Sequence, residues 1–348
     1  MVHARRVLTA RHLNRALLAR QLLLERAVLP FDEAVERMGA LQDQYAPSLY
    51  VGLWSRVRDV RRDAVTRALE DRVLVQGSLM RVTIHVVSRR EYWRYAAGIR
   101  DARRTWLLGL QPAAERDAWH AAQLDTAQRL RAALAGGPRS VKELGDLARG
   151  FVGNAGLWVD LVRVPPSGTW ERRRADRLAL AEAWVGPADA TAEEGVAHVV
   201  LGYLRAFGPA PWRDIAAWAG VPVAELQRGG ASLGLVALED EAGRPLVDLP
   251  GADLPDPSTP APVRFLPHWD ALTLAHARRT GVLPEAHRAR VYTSRNPASM
   301  GTVLADGRVV AGWRAVEGRI LLEPFDAVDR RTRDQIEDER LALEAFHA

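Results

Sequence analysis

Two glutamines two residues apart, Gln42 and Gln44, have the types and spacing to act on one substrate together. They stand at the end of an amphipathic segment predicted to be a helix over 31–41, shortly before Pro47. Because positions i and i+2 do not share a helix face, the two amides reach one pocket only where the backbone leaves helical geometry. A proline favours such a break, since the residue before it avoids the helical region. Paired glutamines at a helix end are otherwise ordinary solvated side chains.

A second set of polar side chains lies in a segment that is predicted to form a β-hairpin. Residues 73–87 alternate apolar and polar positions around a Gly-Ser pair, which is typical of two strands joined by a tight turn. On the second strand Arg81, Thr83 and His85 share one face, because successive side chains of a strand point to opposite sides. Either this face binds a ligand, or His85 is a half-buried histidine bonded to a neighbour.

Several common kinds of catalytic site have no counterpart in the sequence. It contains no Gly-rich phosphate loop, no Gly-x-Ser-x-Gly motif and no histidines and carboxylates at metal-binding spacing. His268 and His276 lack a third ligand close by in sequence. We therefore expect no metal and no cofactor, and we disfavour nucleotide hydrolysis and serine catalysis.

The length and composition are typical of a globular protein with several domains. The chain has 348 residues, of which 48% are hydrophobic and 26% charged, and this length suggests roughly two to four domains. It has no cysteine, and no apolar run approaches the roughly 20 residues that cross a bilayer. Residues 1–6 lack the apolar core of a signal peptide. We predict a cytoplasmic protein with no membrane partner.

The charge balance favours a nucleic acid as the partner. The formal net charge is +5 and the isoelectric point about 10.0, yet Lys142 is the only lysine. Nearly all positive charge is therefore arginine, whose planar fork binds phosphate bidentately and stacks on aromatic faces. Codon usage in a GC-rich genome is the alternative explanation for the missing lysines.

The elements that must position these residues repeat one layout, in which helices are followed by a two-stranded hairpin. Helices are predicted over 8–29, 31–41, 49–57, 61–71, 90–110, 119–134, 141–148, 193–207, 212–219, 223–227, 272–279 and 329–346. Hairpins are predicted over 73–87, 157–177 and 233–249, with further strands over 263–270 and 301–324. Thr9 and Ser140 are predicted helix N-caps.

This layout predicts an α+β fold that is mainly helical. It consists of three tandem winged-helix (helix-turn-helix) units and a small C-terminal antiparallel β-domain. The predicted boundaries are 1–118, 119–190 and 191–255 for the three units and 256–348 for the β-domain. Tandem copies of a DNA-binding unit favour an extended ligand.

A series of short motifs gives nearly the whole chain a resemblance to the winged-helix DNA glycosylases of the AlkZ/YcaQ type. The motifs are Leu-Gln-Asp-Gln at 41–44, Leu-Trp-Ser-Arg at 53–56, Met-Arg-Val-Thr-Ile-His at 80–85, Glu-Tyr-Trp at 91–93, Phe-Leu-Pro-His-Trp-Asp at 265–270, Leu-Ala-His at 274–276, Gly-Val-Leu-Pro at 281–284 and Val-Val-Ala-Gly-Trp at 309–313. The resemblance implies tandem winged helices in a concave, basic cradle. It also implies excision of N7-alkylated purines, including bulky adducts and interstrand crosslinks.

The resemblance also implies roles for individual residues. Gln42 and Gln44 match the outer positions of the family's catalytic pair, whereas Asp43 replaces the usual apolar residue between them, and Ala271 stands where relatives often have a polar side chain. The residues expected to bind DNA or the lesion are Arg56, Arg81, Thr83, His85, Trp269, Asp270 and Arg278, of which Arg56 and Arg278 are the candidates for phosphate.

The implied chemistry suits glutamines. Glycoside hydrolysis ordinarily needs a carboxylic acid to protonate the leaving group, but a purine alkylated at N7 already carries positive charge. Two amide oxygens would then position a water molecule and stabilise the developing cation. We predict a monofunctional glycosylase, monomeric and nucleoid-associated, acting on double-stranded DNA with alkylated bases. The alternatives are a winged-helix transcriptional regulator without catalytic activity and a protein that sequesters a DNA-reactive natural product.

Overall fold

The computed structural model describes residues 6–148, 155–274, 281–292 and 299–348. Of the predicted site residues, only Arg278 lies outside these ranges. The described helices are α1 Ala10–Arg20, α2 Phe31–Met38, α3 Pro47–Trp54, α4 Arg62–Glu70, α5 Tyr92–Gly109, α6 Arg116–Leu134, α7 Val141–Leu144, α8 Ala181–Trp184, α9 Ala192–Phe207, α10 Trp212–Ala219, α11 Val223–Gly229, α12 Ala271–Leu274, α13 Glu285–Val291 and α14 Arg330–His347. None of them is long and apolar enough to span a bilayer.

The described strands form three small sheets, which with the helices confirm the α+β class. The strands are β1 Val7–Leu8, β2 Leu41–Gln42, β3 Leu74–Ser78, β4 Ile84–Ser88, β5 Arg139–Ser140, β6 Leu161–Arg163, β7 Arg177–Leu180, β8 Val236–Asp240, β9 Pro245–Asp248, β10 Arg264–Leu266, β11 Gly301–Ala305, β12 Arg308–Val316 and β13 Arg319–Pro324. The sheet orders are β1-β8-β9, β2-β4-β3-β6-β7-β5 and β10-β11-β12-β13.

The sheets join segments that are distant in sequence. Strands β3 and β6, from the first and second predicted units, pair through Gln76 with Arg163 and Gly77 with Val162. The short strand β1 runs parallel to β8 of the third predicted unit. The hairpins therefore provide contacts between neighbouring units, and the division into three units remains a prediction.

Local signals for helix ends are reproduced where a side chain supplies the cap. The Thr9 hydroxyl accepts a hydrogen bond from the His12 amide at 3.2 Å, and Ser140 caps α7 through the Glu143 amide at the same distance. The predicted extent of the first helix is wrong, because α1 ends at Arg20 and Leu22 has a left-handed φ of 56°.

The first hairpin differs from its prediction in a way that affects the site. The Gly-Ser pair predicted as the turn belongs to β3, and the chain reverses through a 3₁₀ turn over Met80–Val82. Arg81 and Val82 there have left-handed φ values of 55° and 61°. Arg81 therefore does not share a regular strand face with His85. In the second hairpin, the second strand begins only at Arg177 rather than at 170.

Two hydrophobic cores determine where the site residues meet. In one, α5 crosses α9 so closely that a Cβ on Gly98 would lie 2.3 Å from the Gly195 carbonyl oxygen. In the other, α3 packs against the C-terminal sheet, with Leu49 and Phe265 in one buried cluster. The second core brings the segment after β10 next to the helix that follows the glutamine motif.

Candidate active site

The glutamine motif lies on extended backbone at the edge of the six-stranded sheet. Helix α2 ends at Met38, and Gly39 and Ala40 have left-handed φ values of 71° and 78°. Gln42 then pairs with His85 across β2 and β4, and the Asp43 amide donates to the Ile84 carbonyl oxygen at 2.8 Å. Alternate side chains of extended backbone point to opposite sides. The expectation that this segment is not helical is met.

The two glutamines contact each other directly. The Gln42 Nε2 group donates a hydrogen bond to Gln44 Oε1, and Gln42 Oε1 accepts one from Arg81 Nη2 at 2.7 Å. Gln42 is buried with 7% exposure, whereas Gln44 is exposed. A carbonyl oxygen has two lone pairs, so each amide oxygen retains capacity for a second hydrogen bond.

Arg81 connects the motif to the third predicted unit. Its Nη1 group donates to the Trp218 carbonyl oxygen at the end of α10. Burial, with a smaller effect from Arg103, lowers the pKa of Arg81 to about 10, so the guanidinium remains charged at neutral pH. Arg81 therefore reaches Gln42 from a left-handed turn, not from the strand position predicted for it.

Thr83 and His85 stabilise the turn that carries Arg81. His85 Nδ1 donates to the Thr83 carbonyl oxygen at 2.9 Å, and Thr83 Oγ1 donates to the Met80 carbonyl oxygen at 3.0 Å. Burial lowers the pKa of His85 to about 3, so its imidazole is neutral at physiological pH. His85 also lies opposite Gln42 across β2 and β4, and a role of Thr83 or His85 in binding the lesion stays a prediction.

Asp43 points to the other side of the extended segment and connects it to Gln76 on β3. Its Oδ2 atom accepts from Gln76 Nε2 at 2.6 Å, and the same Nε2 group donates to the Gly168 carbonyl oxygen at 3.0 Å. Burial raises the pKa of Asp43 well above its ordinary value, against the opposing effects of the Gln76 hydrogen bond and the Arg163 charge. The middle position of the glutamine motif is thus occupied by a buried, hydrogen-bonded carboxyl group.

Arg56 and Asp270 form a buried ion pair instead of a DNA-binding surface. Arg56 Nη2 lies 2.8 and 3.1 Å from the two Asp270 carboxylate oxygens, and Arg56 Nη1 donates to the Gly52 carbonyl oxygen at 3.2 Å. The two side chains are 0% and 1% exposed. The buried Arg56 side chain offers no exposed donor to a phosphate in this structure, contrary to the role predicted for it, and the predicted contact of Asp270 with DNA stays a prediction. The pair instead attaches the segment after β10 to α3.

An aromatic group next to Gln44 comes from two distant segments. The ring of Tyr45, which is 37% exposed, lies 5.2 Å from the ring of His268. Arg173 Nη1 donates to the Tyr45 hydroxyl at 3.1 Å. Trp269, half-buried with a left-handed φ of 62°, is held by a 2.6 Å hydrogen bond from its amide to Ser299 Oγ. Sequence reasoning missed Tyr45 and Arg173, although Tyr45 directly follows the motif.

Comparison with known proteins identifies the family. The family model described as DNA glycosylase AlkZ-like matches residues 35–346. The chain belongs to the AlkZ-like DNA glycosylase family. AlkZ-like proteins are DNA repair enzymes that bind DNA, and this protein is accordingly a DNA glycosylase. This class agrees with the resemblance and not with a regulator.

A solved structure has the same overall fold. The Streptomyces sahachiroi DNA glycosylase AlkZ matches with a TM-score of 0.79 and 20% sequence identity, covering 98% of this chain and 97% of that one. At this identity the match supports the fold alone. A search of curated proteins finds no match.

Proposed function

We propose that this AlkZ-like protein hydrolyses the N-glycosidic bond of N7-alkylated purines in double-stranded DNA, including bulky adducts or interstrand crosslinks. The observation that carries the proposal is the pair of neutral amides, Gln42 and Gln44, held side by side at the sheet edge. Their described hydrogen-bond partners are each other and Arg81, and no described carboxylate is among them. Among the described groups that bond to the two amides, none is an acid that could protonate a leaving group.

The substrate class follows from that lack of an acid. A purine alkylated at N7 carries a positive charge, so it leaves as a neutral base when its bond to C1′ breaks and takes the electron pair. Water adds to C1′ and releases its proton to the solvent. The remaining tasks are to orient the water and stabilise an oxocarbenium-like sugar. The spare lone pairs of the Gln42 and Gln44 oxygens serve both tasks, with Gln44 facing the solvent.

A monofunctional mechanism suits the residues present. Glycosylases that also cut the strand use an amine nucleophile to form a Schiff base. Lys142 is the only lysine of the chain, and it lies exposed on α7, in the second predicted unit. The exposed side of Gln44 and Tyr45 also leaves room for a bulky adduct. We place the activity in DNA repair or in self-resistance to a DNA-alkylating natural product, performed by a nucleoid-associated monomer.

Base release under single-turnover conditions tests the proposal. The substrates are duplexes with N7-methylguanine, a bulky N7 adduct or an N7 crosslink, and the variant is Gln42→Ala with Gln44→Ala. Removing a group that stabilises a transition-state charge typically costs about 10²–10³-fold in rate, so we expect a loss of at least about 10²-fold. Gln128→Ala, an exposed glutamine on α6, is the matched control. Equal rates in all three proteins, or no release from any substrate, would refute the proposal.

The pH dependence of the same rate gives a second readout. Amides do not titrate, the His85 pKa is about 3 and the Arg81 pKa about 10. In Asp43→Asn, which lacks the carboxyl group whose pKa burial raises, we therefore expect base release to be independent of pH between about pH 6 and pH 8.5. A bell-shaped profile centred in that range would indicate a general acid or base that the glutamine mechanism lacks.

A further inference from the structure

Arg81 and Arg103 have no acidic partner among the described residues. By contrast, Arg20 meets Asp248 at 2.7 Å and Arg56 meets Asp270 at 2.8 Å. Within the described ranges, no carboxylate oxygen lies within 4.0 Å of the guanidinium of either Arg81 or Arg103. Two cations without a counter-ion are costly where burial weakens solvent screening.

The two arginines lie next to the same glycine, Gly220, which follows α10. A Cβ built on Gly220, whose φ is +72°, would lie 3.3 Å from Arg103 Nη1 and 3.5 Å from Arg81 Cα. The positive charge of Arg103 contributes to lowering the pKa of Arg81. The two guanidinium groups are therefore near enough to repel each other.

The Arg103 side chain is held in place without using its hydrogen-bonding capacity. Its guanidinium carbon lies 4.2 Å from the ring centroid of Trp106, which is 50% exposed. Its buried Nε–H group has no hydrogen-bond partner among the residues that the structure describes. A stacked guanidinium with free donors is arranged for an oxygen-rich anion, since the donors of arginine match the geometry of phosphate.

We propose that Arg81 and Arg103 together bind one phosphodiester group of the DNA, with Trp106 orienting Arg103. This inference rests on the proposed function, because it assigns a DNA contact to the glutamine site. Arg81 also donates to Gln42 Oε1 at 2.7 Å, so one side chain connects the phosphate to the amide. The phosphate charge compensates the two cations, and its position fixes the strand relative to Gln42.

The salt dependence of binding to an undamaged duplex tests this site. Each neutralised phosphate contributes about −0.9 to the slope of log K against log salt concentration. Because Arg81 still contacts the phosphate in Arg103→Gln, we expect this variant to bind more weakly and to make that slope shallower by up to about 0.9. The matched control is Arg94→Gln, which removes the same charge from an exposed position on the same helix and is expected to leave the slope unchanged. Arg103→Lys, which keeps the charge but loses the fork, should weaken binding and keep the slope.

Three outcomes would overturn the inference. In the first, the salt slope of Arg103→Gln equals that of the parent. In the second, Arg94→Gln shows the same reduction as Arg103→Gln. In the third, inorganic phosphate binds the parent but not Arg103→Gln, while the salt slope of DNA binding is the same for both. The last outcome would assign the site to a free anion. Because the duplex is undamaged, binding is measured without base release. The phosphate site and the base-release activity are therefore tested separately, and refuting one proposal does not refute the other.

Discussion

Replacing Asp270 by asparagine separates the structural role of the Arg56–Asp270 pair from the DNA-binding role that the sequence suggested. The side chain keeps its shape, and its oxygen can still accept from the Leu272 amide, now 3.0 Å from Asp270 Oδ1. It loses the negative charge that lies 2.8 Å from Arg56 Nη2. Arg56 would then be a fully buried cation without a counter-ion.

The expected cost follows from that burial. Removing one partner of a buried ion pair costs about 3–5 kcal/mol, because the remaining charge stays desolvated and unpaired. The unfolding entropy is about 2.1 cal/mol/K per residue, and the chain has 348 residues. Asp270→Asn should therefore lower the Tm by about 4–7 °C. Replacing both charges, with Arg56→Met and Asp270→Leu, should restore most of this loss, since no buried charge remains.

Thermal unfolding and DNA binding are measured on the same set of variants. Arg58→Met is the control, because Arg58 forms an exposed pair with Glu25 that should contribute less than about 1 kcal/mol. If Asp270→Asn keeps the Tm of the parent while Arg56→Met makes the salt slope of DNA binding shallower, the reasoning is refuted. Arg56 would then contact phosphate after all.

Two further perturbations test other parts of the structure. Burial raises the pKa of Asp43, so the folded state retains a proton that the unfolded chain loses above about pH 4, and stability falls as pH rises toward the folded pKa. Asp43→Asn should abolish this fall. Measured by denaturant unfolding, the free energy of unfolding should drop more between pH 5 and pH 8 for the parent than for the variant. Equal drops in the two proteins would contradict the assignment. Gly98→Ala places a methyl group 2.3 Å from the Gly195 carbonyl oxygen and should cost about 1–3 kcal/mol by overpacking. Gly109→Ala, with no described atom within 4 Å of the added Cβ, should not destabilise the protein, and equal effects of the two substitutions would refute the contact between the helices.

Much of the secondary structure was predictable because its signals are local. Caps such as Thr9 and Ser140 depend on residues three positions away, and both are observed. Strands β11 to β13, predicted over 301–304, 308–315 and 319–324 around Asp-Gly and Glu-Gly turns, are observed within one residue of these bounds at every end. The hairpin predicted over 233–249 is likewise observed, with strands at 236–240 and 245–248.

The sequence by itself also determined which residue types stand in the motif and how they are spaced. Gln42 and Gln44 cannot share a helix face, and this was enough to predict a break between α2 and α3. The family resemblance rests on the same short motifs, and the family match agrees with it.

Only the tertiary structure decided how the site is assembled, because its determining contacts join residues far apart in sequence. Arg56 appeared to be a surface cation until Asp270, 214 positions away, was found against it in the core. Arg81 appeared to lie on a strand, but packing holds it at a φ of 55°, a conformation that ordinary residues adopt at a cost. That turn points its guanidinium at Gln42 and brings it near Arg103. Local sequence patterns carry no information on such partners, since burial and charge compensation are properties of the folded chain.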